Sequence, residues 1–138
     1  MKPKKLIIDT GPIVAFLNRA DFYHEWALRQ FSELIPPFYT CESVISETCF
    51  LLRNTENGQK NIIKLLEREL IQISFNLKEE ISTIMTLMKK YDDIPMSLAE
   101  ACLVRMSEQI SDSTICTLDS DFRIYRKEKR NVIPVIMP

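Results

Sequence analysis

Histidine is almost missing from this chain: His24 is the only one in 138 residues. A zinc centre or a Ser-His-Asp triad usually needs histidine in a specific partnership, so both are poor readings. Glycine is nearly as scarce, with only Gly11 and Gly58. Long flexible linkers are therefore not expected, and no repeat or low-complexity segment is visible. The four cysteines, Cys41, Cys49, Cys102 and Cys116, show no CxxC spacing and lie among apolar residues. They read as reduced core thiols of a cytosolic protein. No apolar run approaches the roughly 20 residues of a membrane span. The opening is basic and then apolar, but Asp9 interrupts it after Leu6-Ile7-Ile8, too soon for a signal peptide. The expectation is a soluble, cytoplasmic protein that neither enters a membrane nor leaves the cell. An excess of one charge is also lacking, since 18 basic and 19 acidic residues leave a net charge of −1. A non-specific nucleic-acid binder would usually be basic. One basic stretch stands out: Arg123, Arg126, Lys127, Lys129 and Arg130. It reads either as a solvated surface or as a patch for phosphates.

What is present suits a single domain spanning residues 1–138, because hydrophobic residues make up 46% and charged residues 27% of the chain. Leu6 to Asp9 reads as a short buried strand. Thr10-Gly11-Pro12 then turns into a helix with proline near its first position. A second helix is expected from about Tyr23 to Ile35, stopped by Pro36-Pro37. Phe38-Tyr39-Thr40 is a strand, and Ser43 is expected to cap the helix that contains Glu47. Asn57-Gly58 breaks the chain before a helix over Gln59–Glu69. A strand over Ile71–Phe75 and a helix over Leu77 to about Lys90 follow. After the acidic loop Tyr91–Pro95, a helix runs from Ser97 to about Gln109. Strands are expected at Thr114–Leu118 and Val132–Ile136. Apolar strands alternating with helices indicate an α/β domain whose parallel sheet is covered on both faces. Active sites in such sheets lie beyond the carboxyl ends of the strands, which draws attention to Asp9 and Asp119.

Two further acids sit where acids are costly. Glu47 lies within Val44-Ile45-Ser46-Glu47-Thr48-Cys49-Phe50, and Glu100 within Leu98-Ala99-Glu100-Ala101-Cys102-Leu103. Carboxylates among core residues are unfavourable unless paired or bound to metal. If Asp9, Glu47, Glu100 and Asp119 converge, each raises its neighbours' pKa, and a hard divalent cation relieves the repulsion. Such an ion lowers the pKa of a bound water and stabilises charge on a phosphoryl group. Phosphodiester hydrolysis without histidine is then chemically reasonable. Each residue also has a plainer reading. Asp9 could cap the helix after it, Glu47 and Glu100 could be helix-surface residues, Asp119 a turn residue, and Asp121 the cap of a short helix near Phe122.

Five segments, in order, resemble the PIN-domain family, especially its VapC-type toxins. They are Ile7-Ile8-Asp9-Thr10-Gly11-Pro12-Ile13-Val14-Ala15-Phe16-Leu17; Asp21-Phe22-Tyr23-His24-Glu25-Trp26-Ala27; Ser43-Val44-Ile45-Ser46-Glu47-Thr48; Tyr91-Asp92-Asp93-Ile94-Pro95-Met96-Ser97-Leu98-Ala99-Glu100-Ala101; and Thr117-Leu118-Asp119-Ser120-Asp121-Phe122. The resemblance implies a three-layer α/β/α fold with a central parallel sheet of four or five strands. It implies a Mg²⁺- or Mn²⁺-dependent endoribonuclease, with the metal site on Asp9, Glu47, Glu100 and Asp119 and with Asp121 as a helper. Thr10, Ser97 and Thr117 fall at supporting positions, where hydroxyls orient carboxylates or water. It further implies RNA as substrate, a homodimer, and a small antitoxin protein as partner in a type II toxin–antitoxin pair. One departure stands out: the family usually has aspartate where this chain has Glu100. That longer side chain keeps open a second reading, a PIN-like metal- or RNA-binding module without catalysis. A haloacid-dehalogenase-type phosphotransferase is disfavoured because Asp9-Thr10-Gly11 lacks a second aspartate, and a receiver domain because Asp9 stands alone after its strand.

Overall fold

The computed structural model of the chain describes residues 4–138. Its elements run β1 (Lys5–Ile8), α1 (Thr10–Leu17), α2 (His24–Glu33), β2 (Phe38–Thr40), α3 (Glu42–Leu51), α4 (Gly58–Glu67), β3 (Ile71–Ile73), α5 (Leu77–Lys90), α6 (Leu98–Gln109) and β4 (Ser113–Cys116). A single 3-10 turn, Ser120–Arg123, leads to β5 (Arg126–Lys127), β6 (Asn131–Val132) and β7 (Val135–Ile136).

Five strands form one sheet in the order β3-β2-β1-β4-β7, and every pairing in it is parallel. The expected α/β/α architecture is therefore the observed one, with five strands rather than four. β1 sits at the centre. Its Leu6, Ile7 and Ile8 are all buried, as a strand covered on both faces requires. Leu6 pairs with Phe38 on one side and with Thr114 on the other, which fixes the register of both neighbours. Thr40 Oγ1 donates to the Ile8 carbonyl at 2.8 Å and satisfies a fully buried hydroxyl at the end of β2.

The chain steps outward from β1 to β3, then returns across the sheet to β4. Right-handed crossovers put the helices of the outward path on one face and α5 and α6 on the other. The strand order reverses between β1 and β4. At such a point the two connections leave in opposite directions and open a crevice beyond the strand ends.

Three expectations at element ends need correction. Ser43 does not cap α3: the helix begins at Glu42, Cys41 holds the cap position, and no side chain bonds there. Asp121 does not cap the turn near Phe122: Asp119 does, its carboxylate accepting from the Asp121 amide at 2.9 Å. The last strand is two pieces. Pro134 cannot donate to a ladder and Ile133 turns inward to near-complete burial, so β6 pairs antiparallel with β5 while β7 joins the main sheet.

Candidate active site

Asp9 follows β1 and starts α1. Its Oδ1 accepts from the Thr10 amide at 2.8 Å and its Oδ2 from the Thr117 hydroxyl at 2.7 Å. The capping reading of Asp9 thus holds, but it uses only one of the two oxygens. The residue is 8% exposed. Burial is the main cause that lifts its pKa to about 6; the Thr117 and Thr10 hydrogen bonds oppose the rise, and the charges of Asp119 and Glu47 add to it.

Thr117, fully buried just after β4, is a relay. Its hydroxyl donates to Asp9 and accepts from the Asp119 amide at 3.0 Å. Asp119 is half-buried. Burial pushes its pKa up, the Asp121 amide pulls it down, and the nearby carboxylates of Glu100 and Asp121 push it up again.

The helices bring the other two acids. Glu47 stands on the exposed face of α3, and its Oε2 accepts from Thr10 Oγ1 at 3.3 Å. Glu100 lies in the first turn of α6, where Ser97 and Glu100 form a reciprocal capping box. The Glu100 amide donates to Ser97 Oγ and the Ser97 amide to Glu100 Oε1, both at 3.1 Å. The second oxygen of Glu100 accepts from the Tyr125 hydroxyl at 2.5 Å.

Asp9, Glu47, Glu100 and Asp119 all line one cleft of about 420 Å³, together with Thr10, Gly11 and Ser97. Two of its acids, Glu100 and Asp119, also meet Asp121: one oxygen each of Glu100, Asp119 and Asp121 lie inside 4.8 Å of one another. Asp9 and Glu47 sit farther round the same wall, tied to threonine hydroxyls. The cleft lies at the reversal between β1 and β4, where the fold opens a crevice.

Every donor set in the cleft is oxygen. Among the described residues the only ion pairs join Arg105 to Glu80 and Glu108, so no lysine or arginine neutralises these acids. Uncompensated carboxylates with hard oxygen donors fit a Mg²⁺-class cation better than any soft metal. The residues best placed to hold it are Glu100, Asp119 and Asp121, with Asp9 and Glu47 at the edge.

Two other sequence features lie elsewhere. His24 is a brace, its Nδ1 lying 2.7 Å from the Ala15 carbonyl oxygen of α1. The basic stretch is partly spent on local structure: Arg126 Nη1 donates to the carbonyls of Arg123, Ile124 and Tyr125. Tyr125 is the residue the sequence reading missed. Its hydroxyl meets Glu100 across 25 residues of chain, a pairing that no local spacing announces.

A parallel sheet with an acidic, histidine-free cleft at its switch point defines a class of α/β protein suited to divalent cations. Residues 6–128 match the family model described as PIN domain, and the chain belongs to the PIN-domain family. Among solved structures it is similar to Mycobacterium tuberculosis VapC20, a toxin described as cleaving the sarcin-ricin loop. The TM-score is 0.76 at 18% identity, covering 85% of this chain and 92% of that one. At that identity the likeness speaks for the fold. No curated protein matches the sequence.

Proposed function

We propose that this protein is a metal-dependent endoribonuclease that hydrolyses phosphodiester bonds in RNA, and the toxin of a type II toxin–antitoxin pair. The observation that supports it is the uncompensated acidic cleft at the sheet's switch point in a PIN-domain chain. In this reading Glu100, Asp119 and Asp121 hold Mg²⁺ or Mn²⁺, and Asp9 and Glu47 complete the site from its edge. A cation bound there supplies activation of water and charge neutralisation at the phosphate. The chain's own residues do the positioning. Thr117 fixes Asp9 and the Asp119 amide together, Thr10 steadies Glu47, and Ser97 anchors Glu100 to the start of α6. Without a cation the cleft would repel a phosphodiester, so metal binding and RNA binding are coupled.

The same charge suits a small antitoxin that inserts a cationic side chain into the acids. A homodimer and a cytoplasmic location accompany this reading. No helix among the described residues is long and apolar enough to cross a membrane. The test is incubation of purified protein with total cellular RNA in Mg²⁺, Mn²⁺ or chelator, with the cut ends mapped. Cleavage at defined positions only with metal supports the proposal. Metal binding without cleavage of any RNA would instead favour the binding module that Glu100 admits.

A further inference from the structure

Glu100 reaches its place through a longer, freer side chain than an aspartate would use. A glutamate loses more rotamer freedom than a shorter side chain when it is held in one conformation. Two donors restrain it here. The Ser97 amide holds Oε1 from within the same helix, and Tyr125 holds Oε2 from a different element.

Tyr125 is built to be immobile. It is 0% exposed. Its ring meets Tyr91 edge-on, with centroids 5.0 Å apart, and Phe122 almost perpendicularly at 5.4 Å. Its backbone amide donates to the Asp121 carbonyl at 3.1 Å, tying it to the residue that shares the carboxylate cluster. Tyr91 is held in turn, its hydroxyl accepting from the Arg126 amide at 3.0 Å. A rigid phenol therefore presents one donor to one carboxylate oxygen, and a bond from a neutral donor to an ionised acceptor is short and strong.

We infer that Tyr125 is a positioning residue for the cation site: its buried hydroxyl fixes the Glu100 carboxylate beside Asp119 and Asp121, so that a glutamate can serve there. This rests on the proposed metal site. Outer partners that orient a ligand typically change metal affinity ten- to a hundredfold when removed, by roughly that factor in either binding or activity. Tyr125→Phe removes the hydroxyl and keeps the ring, so the packing against Tyr91 and Phe122 survives.

The experiment is calorimetric titration of the purified protein with Mn²⁺, for wild type, Tyr125→Phe, Glu100→Asp and the double variant, with folding checked by circular dichroism. Tyr125→Phe should weaken Mn²⁺ binding by about tenfold or more in the wild-type background. In the Glu100→Asp background, where the shorter carboxylate falls short of the phenol, it should change affinity by about twofold or less. A purely structural tyrosine would lower thermal stability alike in both backgrounds and leave affinity unchanged. Equal Mn²⁺ affinity in wild type and Tyr125→Phe overturns the positioning role and leaves the metal site standing. So does an equal loss in both backgrounds, since the hydroxyl would then act other than through Glu100. Absence of Mn²⁺ binding by wild type overturns the metal site, and the positioning role with it.

Discussion

Asp9 shows how one carboxylate can serve both fold and site. One oxygen caps α1, the other meets Thr117, and burial raises the pKa from 3.8 to about 6. Between those values the folded state binds the proton more tightly than the unfolded chain does. In chelator, the contribution of Asp9 is therefore fully present below about pH 4 and is lost as the pH rises through 6. A shift of that size corresponds to roughly 3 kcal/mol at most. Burial and the neighbouring acids shift Asp119 in the same direction. Urea unfolding in chelator between pH 4 and 8 measures the effect. Wild type should lose stability relative to Asp9→Asn across that window. A difference that stays flat, or that grows in favour of wild type with pH, contradicts the buried, repelled carboxylate described above.

Among the elements, the turn between α3 and α4 depends most directly on one residue type. A Cβ on Gly58 would lie 2.5 Å from the Leu52 carbonyl oxygen and 2.8 Å from the Leu52 Cβ, and Leu52 is fully buried. Backbone cannot give way as a side-chain tip can. Gly58→Ala should therefore cost about 1–3 kcal/mol. Gly11→Ala should cost less, because the nearest atoms to its Cβ would belong to the Leu118 side chain, at 3.1 Å, and not to backbone. Thermal unfolding of the two variants checks the order.

The Asn57-Gly58 break was legible in the sequence, as were the strands that end at Asp9 and before Asp119. Short apolar runs followed by an acid leave few alternatives in a parallel α/β chain. Glu47 and Glu100 were visible because each interrupts a mostly apolar run of sequence, although Glu47 proves to stand on the exposed face of its helix. Other features were not legible. Asp119 and Asp121 are both able to cap the same turn, and only the backbone path chooses between them. The split of β6 from β7 depends on where Ile133 finds space in the core. Ser97 reads in the sequence as a supporting hydroxyl, whereas it and Glu100 cap α6 reciprocally. Tyr125 was invisible because its partner is distant in sequence.

On the scale of the whole molecule, four acids from separate elements line one cleft with no ion-pair partner among the described residues. The sheet delivers Asp9 and Asp119 to the point where strand order reverses, and the two faces contribute Glu47 from α3 and Glu100 from α6. Crowded carboxylates without a partner weaken the native state. A cation that binds only the folded protein reverses this, by about 2.7 kcal/mol at a hundredfold excess over its dissociation constant. Millimolar Mg²⁺ or Mn²⁺ should thus raise the melting temperature of wild type. Asp9→Asn should melt higher than wild type in chelator and respond less to metal. An unchanged wild-type melting curve at saturating metal removes the coordination proposal.

The most direct measurement is cleavage of single-stranded RNA by purified wild type and Asp119→Asn, with Mn²⁺ and with chelator, followed on gels. Asp119→Asn keeps the size of the side chain and an acceptor for the Asp121 amide, but removes the charge from the carboxylate cluster. Loss of a metal-holding charge should cost several kcal/mol in the transition state, and each 1.4 kcal/mol is about tenfold in rate. Wild type with Mn²⁺ should therefore cut at least about a hundredfold faster than the variant, and chelator should stop both. Equal cutting by the two proteins, or cutting by wild type that persists in chelator, would contradict the account.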